Sequence, residues 1–397
     1  MVAILFATVA FSVDAMLPAL PQIAAELSPQ DVNRAQLVIA AFVAGMGLGT
    51  FFSGPISDAI GRKVTITWGI VLYVIGAALA YFAQTLELLL AARFIQGLGA
   101  SAPRIVSMAM IRDQYAGREM AQLVSFMMMI FILIPAAAPS LGALIEAAFG
   151  WRAIFGAFLV LGLIGGTWLN LRQPETHPPE RRRPLQRDTL LAAVKEVLGH
   201  KMVRIYVAVL TLGFGQMFAF IISVQPIYDE VFDKAESFPF WFLVVALLSG
   251  ISTIVNASLV MKLGMRRLAI TAYGMQAVIS AVMLMLWLSG TMPLELAFPV
   301  FLAWSVSVFF MVGLTFGNLN ALALEPMGHI AGLAASTVSA ISTVCSIAIA
   351  IPIGLTFNGT PVPLITGMMV CSALAWILMR YAREADPTPR TTPLTGG

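Results

Sequence analysis

Gly54-Pro55-Ile56-Ser57-Asp58-Ala59-Ile60-Gly61-Arg62-Lys63-Val64 is a short charged turn between two apolar runs, each long enough to cross a bilayer. It reads as a hinge between two membrane helices. Gly54 allows close approach of a neighbouring segment, and Gly61 accepts the positive φ at which a helix stops. Asp58 stands four residues before Arg62, one helical turn away, with Lys63 beside it. A turn closed by so few charges can be broken and remade.

Outward from this turn the chain keeps the same character. Of its 397 residues 59% are hydrophobic and only 11% charged, with a mean hydropathy of +0.89, which places it among polytopic membrane proteins. Uncharged stretches of about twenty residues are candidate spans. Twelve occur, near 2–24, 34–56, 64–85, 87–111, 119–146, 152–171, 202–227, 238–261, 268–289, 295–322, 330–357 and 362–382. The last two are parted only by Asn358-Gly359-Thr360-Pro361-Val362-Pro363, a turn by its Pro and Gly content. From 173 to 201 the composition shifts to Pro, Arg and Glu, too polar for the bilayer and too short for a domain. The expected architecture is therefore all-α: twelve transmembrane helices in two pseudo-symmetric six-helix bundles, 1–172 and 202–383. A cytoplasmic linker, 173–201, joins them, and a disordered cytoplasmic tail, 384–397, follows. Gly264-Met265-Arg266-Arg267 after the eighth span repeats Gly61-Arg62-Lys63 after the second, with Met261 where Asp58 would stand.

Charge sets the orientation. Of twenty-three Lys and Arg, eighteen fall in the tail and the loops on one side, while Arg34, Arg152 and Lys234 alone lie on the other. The positive-inside rule then puts both termini in the cytoplasm, as a multi-pass protein of the cytoplasmic (inner) membrane. The net charge of +3 is spread over many loops and forms no single patch, so nucleic acid is not an expected partner. The chain opens on an apolar run without a basic n-region or a small-residue cleavage site, so the first span is expected to be retained. Cys345 and Cys371 sit in apolar runs without metal spacing, and His177, His200 and His329 form no set. No metal, no organic cofactor and no hydrolytic, phosphate-binding or ATP-binding motif is read, so an enzyme is not expected.

Asp14, Arg93 and Arg104 are the ionisable residues well inside spans. Each costs roughly 2.5–3.5 kcal/mol at a helix centre, so each is a functional candidate. Asp14 lies roughly 20 Å along the first span, ahead of Pro18 and Pro21, where the helix should bend. It reads either as a structural carboxylate neutralised by an Arg or as a group that takes up and releases a proton. Arg93 opens Arg93-Phe-Ile-Gln96-Gly97-Leu-Gly99 and either acts in the interior or snorkels. Arg104 follows three turns later on nearly the same face, which is expected to line a cavity. Gln96, Gln216, Asn256 and Asn318 are further candidates for that cavity, or for bonds between helices. The methionines, Met127 to Met129 among them, suit a forgiving pocket or plain packing. Gly45-Met-Gly47-Leu-Gly49 and Pro135-Ala-Ala-Ala-Pro139-Ser-Leu-Gly142 read as small-faced helices, the second one kinked.

The hinge pattern Gly-x-x-x-Asp-x-x-Gly-Arg-Lys resembles the signature loop between the second and third helices of major facilitator superfamily transporters. Asp14-Ala-Met-Leu-Pro18-Ala-Leu-Pro21 resembles the first helix of the bicyclomycin-resistance (Bcr/CflA-like) drug/proton antiporters. The resemblance implies a conformational latch of Gly54, Asp58, Gly61, Arg62 and Lys63, and proton coupling through Asp14 and Arg93. It makes Pro135, Pro139 and Gly142 the antiporter-motif helix, although Ala138 and Ala143 depart from the family pattern. The function implied is proton-coupled efflux of small hydrophobic or amphipathic drugs by alternating access. The proton is then the coupling ion, the partners are substrate, protons and lipid bilayer, and the chain is a monomer. Two rivals stay open. A sugar or metabolite carrier would show more carboxamide, carboxylate and aromatic residues in its cavity spans. A non-transporting sensor or scaffold would carry a folded soluble domain, whereas the longest loop here is about thirty residues.

Overall fold

The computed structural model describes residues 2–115, 117–182 and 185–385, and every regular element among them is helical. Helix is what a bilayer demands of an apolar run, because each backbone N–H and C=O must find its partner within the segment. The first span is two helices, α1 (Val2–Asp14) and α2 (Leu20–Leu27), and the next five are α3 (Leu37–Ile60), α4 (Arg62–Tyr81), α5 (Leu86–Gln114), α6 (Gly117–Phe149) and α7 (Arg152–Arg172). A further helix, α8 (Arg187–Gly199), lies in the linker. The second set is α9 (Lys201–Pro226), α10 (Phe238–Leu263), α11 (Met265–Leu288), α12 (Leu294–Leu324), α13 (Ala331–Leu355) and α14 (Val362–Ala385). Twelve membrane-crossing segments thus stand among the described residues, six before α8 and six after it.

Several boundaries differ from the expected ones for local reasons. The first span breaks after Asp14 and resumes with Pro21 in the first turn of α2, where its missing N–H costs nothing. The linker is not wholly extended: α8 seats Ala193 and Val197 against the neighbouring helices α9 and α13. The tail begins later than expected, since α14 runs on through Glu384 and Ala385, while residues 386–397 lie outside the described ones. The turn at 358–363 separates α13 from α14 as its composition suggested, with Gly359 at φ +75°. α6 remains one helix through Pro135 and Pro139. The side chains of Met127 to Met129 lie outside the described residues.

Small residues decide how the first set packs. α5 runs between α3 and α4, and a Cβ added at Gly45 would stand 2.0 Å from the Phe94 carbonyl oxygen. In return, a Cβ at Gly97 would stand 2.0 Å from the Phe42 carbonyl. On the other flank Gly99 meets the Tyr73 backbone and Gly76 meets Gln96. Gly47 points the opposite way, toward Thr343 and Val344 of α13.

That contact belongs to the seam between the two sets, formed by α3 with α13 and α6 with α10. At the hinge end, Gly54 faces the Ser336 hydroxyl. At the far end, Asn33 donates to the carbonyls of Leu355 (3.2 Å) and Phe357 (2.9 Å), and the buried carboxamide of Gln36 lies against Gly354. The α3–α13 seam is closed at both ends.

Candidate functional site

The break in the first span exposes backbone that a continuous helix would satisfy. α1 stops at Asp14; the turn that follows satisfies the Phe11 and Asp14 carbonyls, and the helix-end carbonyls between them need other donors. Arg93 of α5 reaches one of them: its Nη2 donates to the Ser12 carbonyl at 2.8 Å, Nε to the Val38 carbonyl at 3.2 Å and Nη1 to Gln96 Oε1 at 2.7 Å. A cation at a helix C-terminus also meets the negative end of the helix dipole. The guanidinium is fully buried and lies over the Phe42 ring at 4.4 Å, with Phe155 and Phe158 near 6 Å. Arg93 does not snorkel. It clamps α1, α3 and α5 together with neutral acceptors and rings.

Asp14 is buried at the end of α1, and no ion pair or hydrogen bond to its carboxyl occurs among the described residues. Pairing of Asp14 with an arginine, one of its two readings, is therefore absent there, because Arg93 spends its donors on the Ser12 carbonyl two residues earlier and on other acceptors. Ser12 adds a second tie, sharing a hydrogen bond with the Tyr73 hydroxyl at 2.6 Å. Beyond Asp14, a Cβ on Gly142 would stand 2.1 Å from the Ala15 carbonyl, so α6 rests on the break itself. This is the physical content of the Pro135, Pro139, Gly142 stretch: a helix with no side chain where it crosses α1.

Arg104 shares the α3-facing side of α5 with Arg93, as its spacing required. Its one polar contact among the described residues is Met46 Sδ at 3.5 Å. The candidate carboxamides of the second set, Gln216, Asn256 and Asn318, are bonded across to other helices. Gln216 on α9 accepts from Ser372 of α14 at 2.6 Å, and Asn318 on α12 donates to Asn256 of α10 at 2.8 Å. Gln96 gives its oxygen to Arg93, while its Nε2 has no hydrogen-bond partner among the described residues.

The hinge is a second site, built at the end of α3. Gly61 takes φ +109°, and Arg62 turns back, donating to Ser57 Oγ at 2.6 Å and to Asp58. The same guanidinium reaches Asp113 of α5 at 3.0 Å. Glu175, just past α7, accepts the backbone N–H groups of Arg62 (2.8 Å) and Lys63 (3.1 Å), which open α4. An anion at that position meets two unsatisfied donors and the positive end of the helix dipole. Glu175 also fills the space a side chain on Gly61 would need, at 2.4 Å. Lys63 sends its ammonium to the Asn170 carbonyl at 3.0 Å, and to no carboxylate among the described residues. The sequence marks the hinge but gives no sign of Glu175 as its clasp or of Asp113 as a second acceptor for Arg62. The signal, an acid right after a span, names no partner more than a hundred residues away.

Glu175→Ala is expected to lower stability by about 1 kcal/mol, the usual worth of a helix N-cap, read as a lower melting temperature of the purified protein. Asp58→Asn touches a side chain 45% exposed, so its static cost should stay below about 1 kcal/mol. If the hinge is a latch, transport by Asp58→Asn should nevertheless fall while substrate binding persists. Lost binding with normal cycling would assign Asp58 to the substrate.

Known proteins match this chain along most of its length. The family profile described as Major Facilitator Superfamily matches residues 2–353. A bicyclomycin resistance protein homolog of Haemophilus influenzae is 30% identical over 344 residues, spanning 83% of this chain and 82% of that protein. The multidrug resistance protein MdtL of Escherichia coli is 29% identical over 383 residues, spanning 94% and 93%. The xylose transporter XylE of E. coli, in a partially occluded inward-open conformation, superposes with a TM-score of 0.72 at 14% identity, covering 99% of this chain and 98% of its own. At that identity the likeness speaks for the fold.

Proposed function

We propose, since the chain belongs to the Major Facilitator Superfamily, that it exports small hydrophobic or amphipathic drugs in exchange for protons, by alternating access. Membership makes it a multi-pass membrane transporter of small molecules and not an enzyme. Drug efflux and proton coupling are our reading. Two relatives named for bicyclomycin and multidrug resistance support the first.

The observation that carries the second is Asp14, a buried carboxyl at a helix break with no basic partner among the described residues. Such a group cannot rest as a permanent ion pair. It is free to hold a proton while the site faces one side and to lose it facing the other. Arg93 serves by holding the broken end of α1, so that the carboxyl keeps its place as the helices rock. Arg104 is assigned to the region between the halves, where transporters of this build place their cavity, while Gln96, Gln216, Asn256 and Asn318 make their described side-chain bonds within one half. The hinge of Gly54, Asp58, Gly61, Arg62 and Lys63 acts as the latch of one state. No cofactor beyond the proton is needed, and the unit is a monomer.

The decisive test is a panel of hydrophobic drugs and native metabolites applied to everted vesicles with a proton-sensitive dye. Release of protons on adding drug is the expected result, and proton uptake together with substrate would mean symport. Silence across the panel would favour a scaffold. We also assign both termini and α8 to the cytoplasm of the inner membrane by the distribution of Lys and Arg. Ser237→Cys should then react with an impermeant thiol reagent in intact cells, and Pro184→Cys only in everted vesicles. The reverse pattern would invert the topology.

A further inference from the structure

Four arginines, Arg93 in the interior, Arg62 at the hinge and Arg152 and Arg34 at span ends on the far side, show what this protein does with a guanidinium it uses for structure. Arg93 has three acceptors and an aromatic face, Arg62 has Asp58, Asp113 and Ser57, Arg152 has Glu26 at 2.7 Å, and Arg34 has Glu87 at 3.0 Å. Arg104 is the exception. It is half-buried within the span, and among the described residues its five N–H donors meet one weak acceptor, the Met46 thioether. None of the ion pairs among the described residues includes it.

Its place suits a ligand. Met46 lies eight residues beyond Val38 on α3, about 12 Å of helix rise, so the Arg104 head is well separated from the Arg93 clamp beside Asp14. The next residue, Gly47, meets Thr343 and Val344 of α13, so this cation stands close to the seam that alternating access must open. Met46 offers a soft, adaptable apolar wall next to the charge.

We propose that Arg104 binds an anionic group, a carboxylate, on the exported substrate. This rests on the export reading above and narrows it: the substrate class is an apolar body bearing an acid. A guanidinium fork accepts a carboxylate through two parallel N–H bonds, and the bound acid neutralises a charge that closure would otherwise leave unpaired in the membrane interior. The charge balance has a measurable consequence. Exporting one monoanion for one proton moves the equivalent of two positive charges inward per cycle, whereas exporting a neutral molecule for one proton moves one. An inside-negative potential therefore drives export of the acid twice as steeply.

The test uses proteoliposomes with potentials set by potassium and valinomycin, and three probe pairs: 2-naphthoate, 4-biphenylcarboxylate and N-acetyltryptophan, each with its primary carboxamide. Wild-type protein should show a KM about tenfold lower for each acid than for its amide, as the loss of one charge-assisted pair implies. The logarithm of accumulation should rise about twice as steeply with potential for the acid. Arg104→Gln should bring the KM ratio close to one, and Arg104→Lys, which keeps the charge but not the fork, should restore part of it. Equal KM values and equal slopes in the wild type overturn the proposal, as does an Arg104→Gln protein that keeps the wild-type ratio. The wild-type slopes decide even if Arg104→Gln does not fold. Export of the amides with proton release but no preference for the acids overturns this inference and leaves drug/proton exchange standing. Export of none of the six overturns both.

Discussion

Asp14→Asn protein should insert, fold and still bind drug, yet fail to concentrate it: accumulation in everted vesicles should fall to the level of vesicles lacking the transporter. The substitution is nearly isosteric, and among the described residues Asp14 has no ion pair to lose, so the static structure gives little reason for misfolding. An amide cannot take up and release a proton in the working range, so each turn of the cycle would carry drug without its driving ion. Exchange of labelled for unlabelled drug needs no driving ion and should survive. That split between lost accumulation and retained exchange marks a coupling residue, since a folding defect removes both. Drug-induced proton release at the wild-type level in Asp14→Asn would place coupling elsewhere.

Gly97→Val is expected to be the most damaging change to the fold. Its Cβ would stand 2.0 Å from the Phe42 carbonyl oxygen, in a crossing where Gly45 of α3 meets the Phe94 carbonyl of α5 at the same distance. Neither obstacle is a side chain that can turn aside. The helices would have to separate, and the Arg93 bond to the Val38 carbonyl spans that same interface. Overpacking in soluble cores costs about 1–3 kcal/mol, and a backbone obstacle sits at or above the upper end. The purified protein should melt several degrees lower or aggregate on extraction. Gly250→Ala is the control: nothing lies within 4 Å of its added Cβ, and removing a helical glycine favours folding by roughly 0.5–1 kcal/mol. If Gly97→Val melts with the wild type, the close crossing of α3 and α5 is wrong.

Much of this protein can be read along one dimension, because a bilayer imposes its rules segment by segment. Apolar length marks the spans, charge in the loops marks their direction, and a glycine between charges marks Gly61 as the hinge. A lone acid in a span, Asp14, stands out for the same reason, and the prolines after it announce the break that ends α1. The partners of these groups obey no such rule. Arg93 meets Ser12 across 81 residues and Val38 across 55, and its acceptors are backbone carbonyls, which every residue carries and which therefore leave no mark in a sequence. Glu175 clasps α4 from 113 residues away, and Gln216 binds Ser372 from 156. The identity of the buried charges was thus legible from composition and position. Whether each was paired or clamped, Arg93 held by three acceptors and Arg104 meeting only Met46 Sδ among the described residues, depended on how the helices cross, and that is settled by glycine-to-backbone contacts that only the assembled bundle contains.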